Sequence, residues 1–140
     1  MELFVATEPD FDIYEIASHT IKRIRLFGRA DSALCLEGVV LDLEVVKVSI
    51  VMNYDDCSLS WLKGDVFSQD TSLTERQVVG MDRYQGVVAF VWVMENQNSV
   101  VDAIQVQILA GEAGYNLLQI MGEGAGIVLY SLSLQRPEQP

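Results

Sequence analysis

Hydrophobic and polar positions alternate along most of this chain, and alternation with a period of two marks half-buried strands. The stretch HTIKRIRLF sets Lys22, Ile24 and Leu26 against Ile21, Arg23 and Arg25. SALCLEGVVLDLE follows, and Gly38 within it predicts a turn or bulge. EVVKVSIVMN places Val46, Val48, Ile50 and Met52 on one face, with Lys47 and Ser49 on the other. NYDD reads as a turn, because Asn and Asp cap their own backbone. CSLSWLKG returns with Cys57, Leu59 and Trp61 on one parity, so residues 45–62 form an expected hairpin. VVAFVWVM, DAIQVQIL, YNLLQIM and GIVLYSLSL continue the pattern, separated by ENQNS, AGEAG and GEGAG. Trp61, by its parity, belongs to the core, and Trp92, beside Phe90 and Met94, to the core or the floor of a pocket.

Two segments break the alternation. In TEPDFDIYEIAS, Thr7 can cap a helix with Pro9 and Asp10 in its first turn, and Phe11, Tyr14 and Ala17 recur every three residues. The polar stretch 64–86 offers Ser72 and Glu75 as a capping box for one short helix, with a loop as the alternative. The expected architecture is mainly β (α+β): a single antiparallel sheet, sandwich or barrel of about seven or eight strands with one N-terminal helix. One domain should span 1–140, with a frayed tail at 135–140.

Composition sharpens this reading. Half of the residues are apolar, enough to build a core. No apolar run reaches the ~18 residues that span a bilayer, and the first residues lack the features of an export signal. The expected location is cytoplasmic, with Cys35 and Cys57 as small, buried, reduced thiols. The formal net charge is −11. Such a field repels nucleic acid and anionic membranes and attracts a basic partner. Lys22, Arg23, Arg25 and Arg29 cluster on one segment, which reads as a solvated strand face.

Candidate chemistry is sparse. His19 is the single histidine, and no nucleophile motif accompanies Cys35, Cys57 or any serine. Two distant cysteines and one histidine do not supply a zinc site. Asp55 and Asp56 sit in a turn and lack the calcium-loop pattern. The carboxylates Asp42, Glu44, Glu95 and Asp102 are scattered, so no acid–base pair can be placed. Gly122, Gly124 and Gly126 precede a strand instead of a helix and indicate a tight hairpin in place of a phosphate loop. No catalytic residue, cofactor or metal is assigned.

The segment FVWVMENQNSVVDAIQVQIL is the most distinctive. Gln105 and Gln107 occupy the outward parity of a strand whose other face is Ile104, Val106 and Ile108, beside a Glu-Asn-Gln-Asn turn. Asp102 shares the inward parity and must either sit at the strand entrance or accept bonds from turn amides. Through Trp92, Asn96, Asp102 and Gln105 this segment resembles a small bacterial family of immunity-type and accessory proteins that accompany toxins. It departs where that family has an aromatic after the turn, since Val100 and Val101 stand here. The resemblance implies protein binding and brings no catalytic residues.

The expectation is therefore an acidic protein-binding module, an immunity or inhibitor protein for a basic partner. Its partner-facing residues would be Glu95, Asn96, Asn98, Asp102, Gln105 and Gln107. The alternatives are a small-ligand-binding β-barrel or enzyme of unfamiliar type, and a subunit of a larger assembly joined through a strand edge.

Overall fold

The computed structural model describes residues 11–29, 36–78, 80–110 and 114–135. These form one antiparallel sheet of nine strands that does not close. In chain order they are β1 (Thr20–Arg29), β2 (Gly38–Leu43), β3 (Lys47–Asn53), β4 (Ser58–Lys63), β5 (Leu73–Arg76), β6 (Gly86–Glu95), β7 (Val101–Leu109), β8 (Gly114–Glu123) and β9 (Gly126–Gln135). The order across the sheet is β4-β3-β2-β1-β6-β7-β8-β9. One edge of β1 is shared. Its first residues pair with Val87 and Gly86 of β6, and its last four pair with β5.

That narrow junction divides the sheet into two halves, β1–β5 and β6–β9, which fold face to face. Ile21, Leu41 and Ile50 from one half and Ile104, Leu118 and Ile120 from the other belong to the same buried cluster. At one end the halves touch backbone to backbone: a Cβ on Gly122 would lie 2.1 Å from the Cys57 carbonyl oxygen, so only glycine fits. Beside it the Ile127 amide donates to the Leu36 carbonyl at 2.9 Å. Tyr84 plugs the core from a single 3-10 turn, Met81–Tyr84, and its hydroxyl bonds Ser131.

The expected N-terminal helix is not there. A single 3-10 turn, Ile13–Ile16, takes its place, capped by Asp12, whose carboxylate accepts the Tyr14 amide at 2.9 Å. Thr7, Pro9 and Asp10 lie outside the described residues. A three-residue repeat fits a 3-10 turn as well as an α-helix. The stripe that is buried is Ile13 and Ile16, while Tyr14 is exposed. Nor do Ser72 and Glu75 start a helix: Glu75 lies in β5, paired with Phe27, and Ser72 donates its amide and hydroxyl to Asp70. This short strand is the one that the alternation pattern did not reveal.

Bulges revise three strand faces. In β1 the pairing steps from Ile21↔Leu43 to Arg23↔Asp42, leaving Lys22 as the extra residue. Ile21 therefore joins Ile24 and Leu26 in the core, and the expected grouping of Ile21 with Arg23 and Arg25 is corrected. In β6 the step from Val88↔Ile108 to Phe90↔Gln107 makes Ala89 the extra residue. Val88 and Val91 both point inward, and Phe90, Trp92 and Met94 are exposed. Trp92 is thus neither core nor pocket floor. In β7 the step from Met94↔Ala103 to Glu95↔Val101 leaves Asp102 unpaired.

Other expectations need smaller changes. Gly38 makes neither turn nor bulge; it begins β2, and the Phe67 ring occupies the space a side chain would fill, 2.0 Å from the Cβ position. Cys57 sits half-buried in the β3–β4 turn at φ 61, off the strand, and packs against the main core. Trp61 is half-buried there too, its indole donating to the Phe11 carbonyl at 3.3 Å. Cys35 and the tail beyond Gln135 lie outside the described residues.

Candidate functional site

The two halves have differently furnished outer faces. On β1 and β2 the outward parity carries Arg25, Phe27, Val40 and Asp42, all buried, because residues 64–73 cross over them. Phe67 stacks on Phe27 with ring centroids 5.6 Å apart. Arg25 grips Asp42 with two bonds of 2.9 Å and reaches Asp65 at 2.6 Å and the Ser68 hydroxyl at 2.8 Å. Burial alone would raise the Asp65 pKa, but the Ser68 hydroxyl and amide, the Arg25 guanidinium and the Phe67 amide outweigh it. The carboxyl is held well below the usual range. Burial likewise opposes the Arg25 charge, and the two carboxylates more than compensate, raising its pKa. The expected solvated face of four cations is corrected for Arg25, whose role is to seat the covering loop.

On β6–β9 nothing among the described residues covers the outward parity. Strand register arranges it in rows across the sheet. Met94, Ala103, Met121 and Val128 form one; Trp92, Gln105, Gln119 and Tyr130 the next; Phe90, Gln107 and Leu117 a third. Phe90 is 54% exposed and Trp92 44%, and their rings stack with centroids 5.5 Å apart. Gln105 donates its amide to the Gln119 side-chain carbonyl, and the Gln119 amide points to the Met121 sulfur at 2.9 Å. Gln107 is buried between Phe90 and Leu117, its register partners on either side. The face is apolar and aromatic, with fixed amides and no charge in its middle.

Charge collects at one end. Residues 86–135 contain no Lys, Arg or His, and their acids are Glu95, Asp102, Glu112 and Glu123. Glu95 closes β6, Asp102 is the second residue of β7 and Glu123 closes β8, so the antiparallel register brings these three to the same end. Tyr130 donates its hydroxyl to Glu123 at 2.8 Å, which holds that carboxylate beside the aromatic row. The bond and the negative charge of Glu123 raise the Tyr130 pKa.

The six residues singled out by the sequence divide here. Gln105 and Gln107 occupy the outer face as expected, and Glu95 lies at its end. Asn98 is exposed in the turn. Asn96 is a structural residue: its side-chain oxygen accepts the Asn98 and Val100 amides at 2.8 and 3.3 Å, and Ser99 turns through φ 62. Asp102 is half-exposed at the strand entrance, and the turn amides go to Asn96 instead of to it. Phe90, Trp92, Gln119, Tyr130 and Glu123 belong to the same face and were missed. The readable signal was the run of fifty residues without a cation, 86–135.

Other constellations offer less. A groove of about 360 Å³ between β1, β5 and the Met81–Tyr84 turn is lined by Arg23, Arg76, Glu75 and Asp82, charges of both signs. His19 precedes β1, its Nδ1 3.4 Å from Glu44. Among the described residues no three His, Cys, Asp or Glu side chains converge as metal ligands, and no helix is long and apolar enough to cross a membrane. Comparison with family models, curated proteins and solved structures returns no significant match to the chain.

Proposed function

We propose that this chain is a cytoplasmic, acidic protein-binding module that captures a basic protein, in the manner of an immunity or inhibitor protein. The observation that carries the reading is the charge distribution. A net charge of −11 is joined to a fifty-residue half, 86–135, that contains no cation at all. A field of one sign speeds the encounter with a partner of the other, and it disfavours nucleic acid. The resemblance of the 90–109 segment to immunity-type proteins points the same way.

The test is a titration of the full chain against the basic proteins encoded beside it, at about 50 and 300 mM salt. A one-to-one complex that weakens as salt rises supports the reading. Complexes only with acidic or neutral neighbours, or an affinity indifferent to salt, would refute it.

A further inference from the structure

The face built by β6–β9 has the wrong furniture for a sheet surface in water. Solvent-facing strand positions are ordinarily polar or charged, yet here Phe90, Trp92, Met94, Leu109 and Tyr130 are each at least 39% exposed. Four strands at ~4.8 Å spacing and seven residues at ~3.3 Å rise give a plane of about 15 by 20 Å, near 300 Å². A patch of about this area is comparable to the largest on an ordinary soluble monomer, which is often functional.

Three features define what fits. A sheet face left apolar is most simply covered by a helix laid across it, and a ~20 Å span accommodates about 13 helical residues. The centre carries no charge; Gln105 donates to Gln119, Gln119 points to Met121, and Gln107 is already buried between its register neighbours. Apolar side chains laid over it therefore remove little further water from these amides. The end of the face carries Glu95 and Glu123, with no cation in this half to neutralise them. A second copy fits poorly. It would bring two chains of −11 together over an area below the ~800 Å² per partner of a stable interface.

We propose that the outer face of β6–β9 seats an amphipathic helix of a basic protein, its apolar stripe on Phe90 and Trp92 and its Lys or Arg side chains on Glu95 and Glu123. This rests on the basic-partner reading above and adds the surface and the form of the partner. Trp92 and Phe90 are the anchors, and their stacking at 5.5 Å holds both rings ready. A cation on the helix can also lie over the Trp92 or Tyr130 ring.

The experiment titrates isotope-labelled full-length protein with a synthetic helical peptide of about 16 residues, leucine on one stripe and lysine on its flanks. A second peptide carries glutamate in place of lysine. The expected result is resonance shifts at the Trp92 indole and the Gln105 and Gln119 amides with the lysine peptide alone. Affinity should fall at least about tenfold in Phe90→Ser/Trp92→Ser. It should fall several-fold, with a weaker salt dependence, in Glu95→Gln/Glu123→Gln. Equal binding of the glutamate peptide overturns the proposal. So does self-association of the wild-type chain that Trp92→Ser abolishes, or adsorption of this face to neutral phosphatidylcholine vesicles. Shifts confined to β2–β4 refute the surface while leaving a basic partner in place. Failure of both the lysine peptide and the basic neighbouring proteins to bind refutes both readings.

Discussion

The outer faces of β1–β2 and of β6–β9 belong to one sheet, yet they meet water in opposite ways. The first carries a guanidinium and a carboxylate and is sealed beneath residues 64–73, which bring a second carboxylate, Asp65, to the same guanidinium; the second carries aromatic rings and amides and lies open. Polarity by itself therefore does not decide which face is exposed. Arg25 and Asp42 can be buried because they are hydrogen-bonded to each other and Arg25 also to the half-buried Asp65, whereas Phe90 and Trp92 are exposed because no segment among the described residues crosses them. The chain covers one face with its own loop. For the other, we propose that a partner supplies the cover.

The largest effect should come from unpairing the sealed charges. Asp42→Ala leaves Arg25 buried with half its bonds lost, and breaking such a pair should cost about 3–5 kcal/mol in chemical denaturation. A cost near zero would mean that the guanidinium escapes to water and that the seal is loose. A direct contrast follows from two phenylalanines on the two faces. Phe67, 8% exposed and packed on Phe27 and Gly38, should cost about 3 kcal/mol as Phe67→Ala. Phe90, 54% exposed, should cost less than about 1 kcal/mol as Phe90→Ala. Equal costs in thermal or urea unfolding would break the comparison.

A smaller effect is expected from Asp65, and it has a sign in pH. Its carboxyl is held below the ordinary value of 3.8, so the folded protein binds that proton less readily than the unfolded chain. The resulting stability is complete above the unfolded pKa and is lost as pH falls through the folded one. Asp65→Asn should therefore be less stable than wild type by about 1–3 kcal/mol near neutral pH. The gap should narrow below about pH 4. A gap that stays constant down to strong acid would show that Asp65 acts through shape and not through its charge.

Much of the fold was legible. The period of two located eight of the nine strands, and in β7 it separated Ile104, Val106 and Ile108 from the glutamines, although on the glutamine face Gln107 is buried between its neighbours. β5 escaped because it has four residues and burial pattern offers no alternation to detect: none of Leu73–Arg76 is fully buried. The first 3-10 turn was overextended into a helix, because a three-residue repeat over so few positions does not separate the two periods. Of the residues on the outer face, alternation grouped Gln105 with Gln107, and it expected Trp92 in the core or on a pocket floor, whereas the structure has it exposed.

That error has a physical source. Alternation determines that residues two apart share a face, and so the chain itself determined the strands, their inner rows and the acidic, cation-free second half. A bulge inserts one residue and inverts every position beyond it. Lys22 and Ala89 are ordinary residues in their sequence context, and the bulges at them arise from the pairing between strands, which tertiary packing selects. Only the folded sheet decided that Ile21 turns inward and Trp92 outward. Likewise, only the passage of residues 64–73 over one face decided that Arg25 is buried while the rings of Phe90 and Trp92 face solvent. Local sequence sets the period of a strand; its phase is set by whatever the strand packs against.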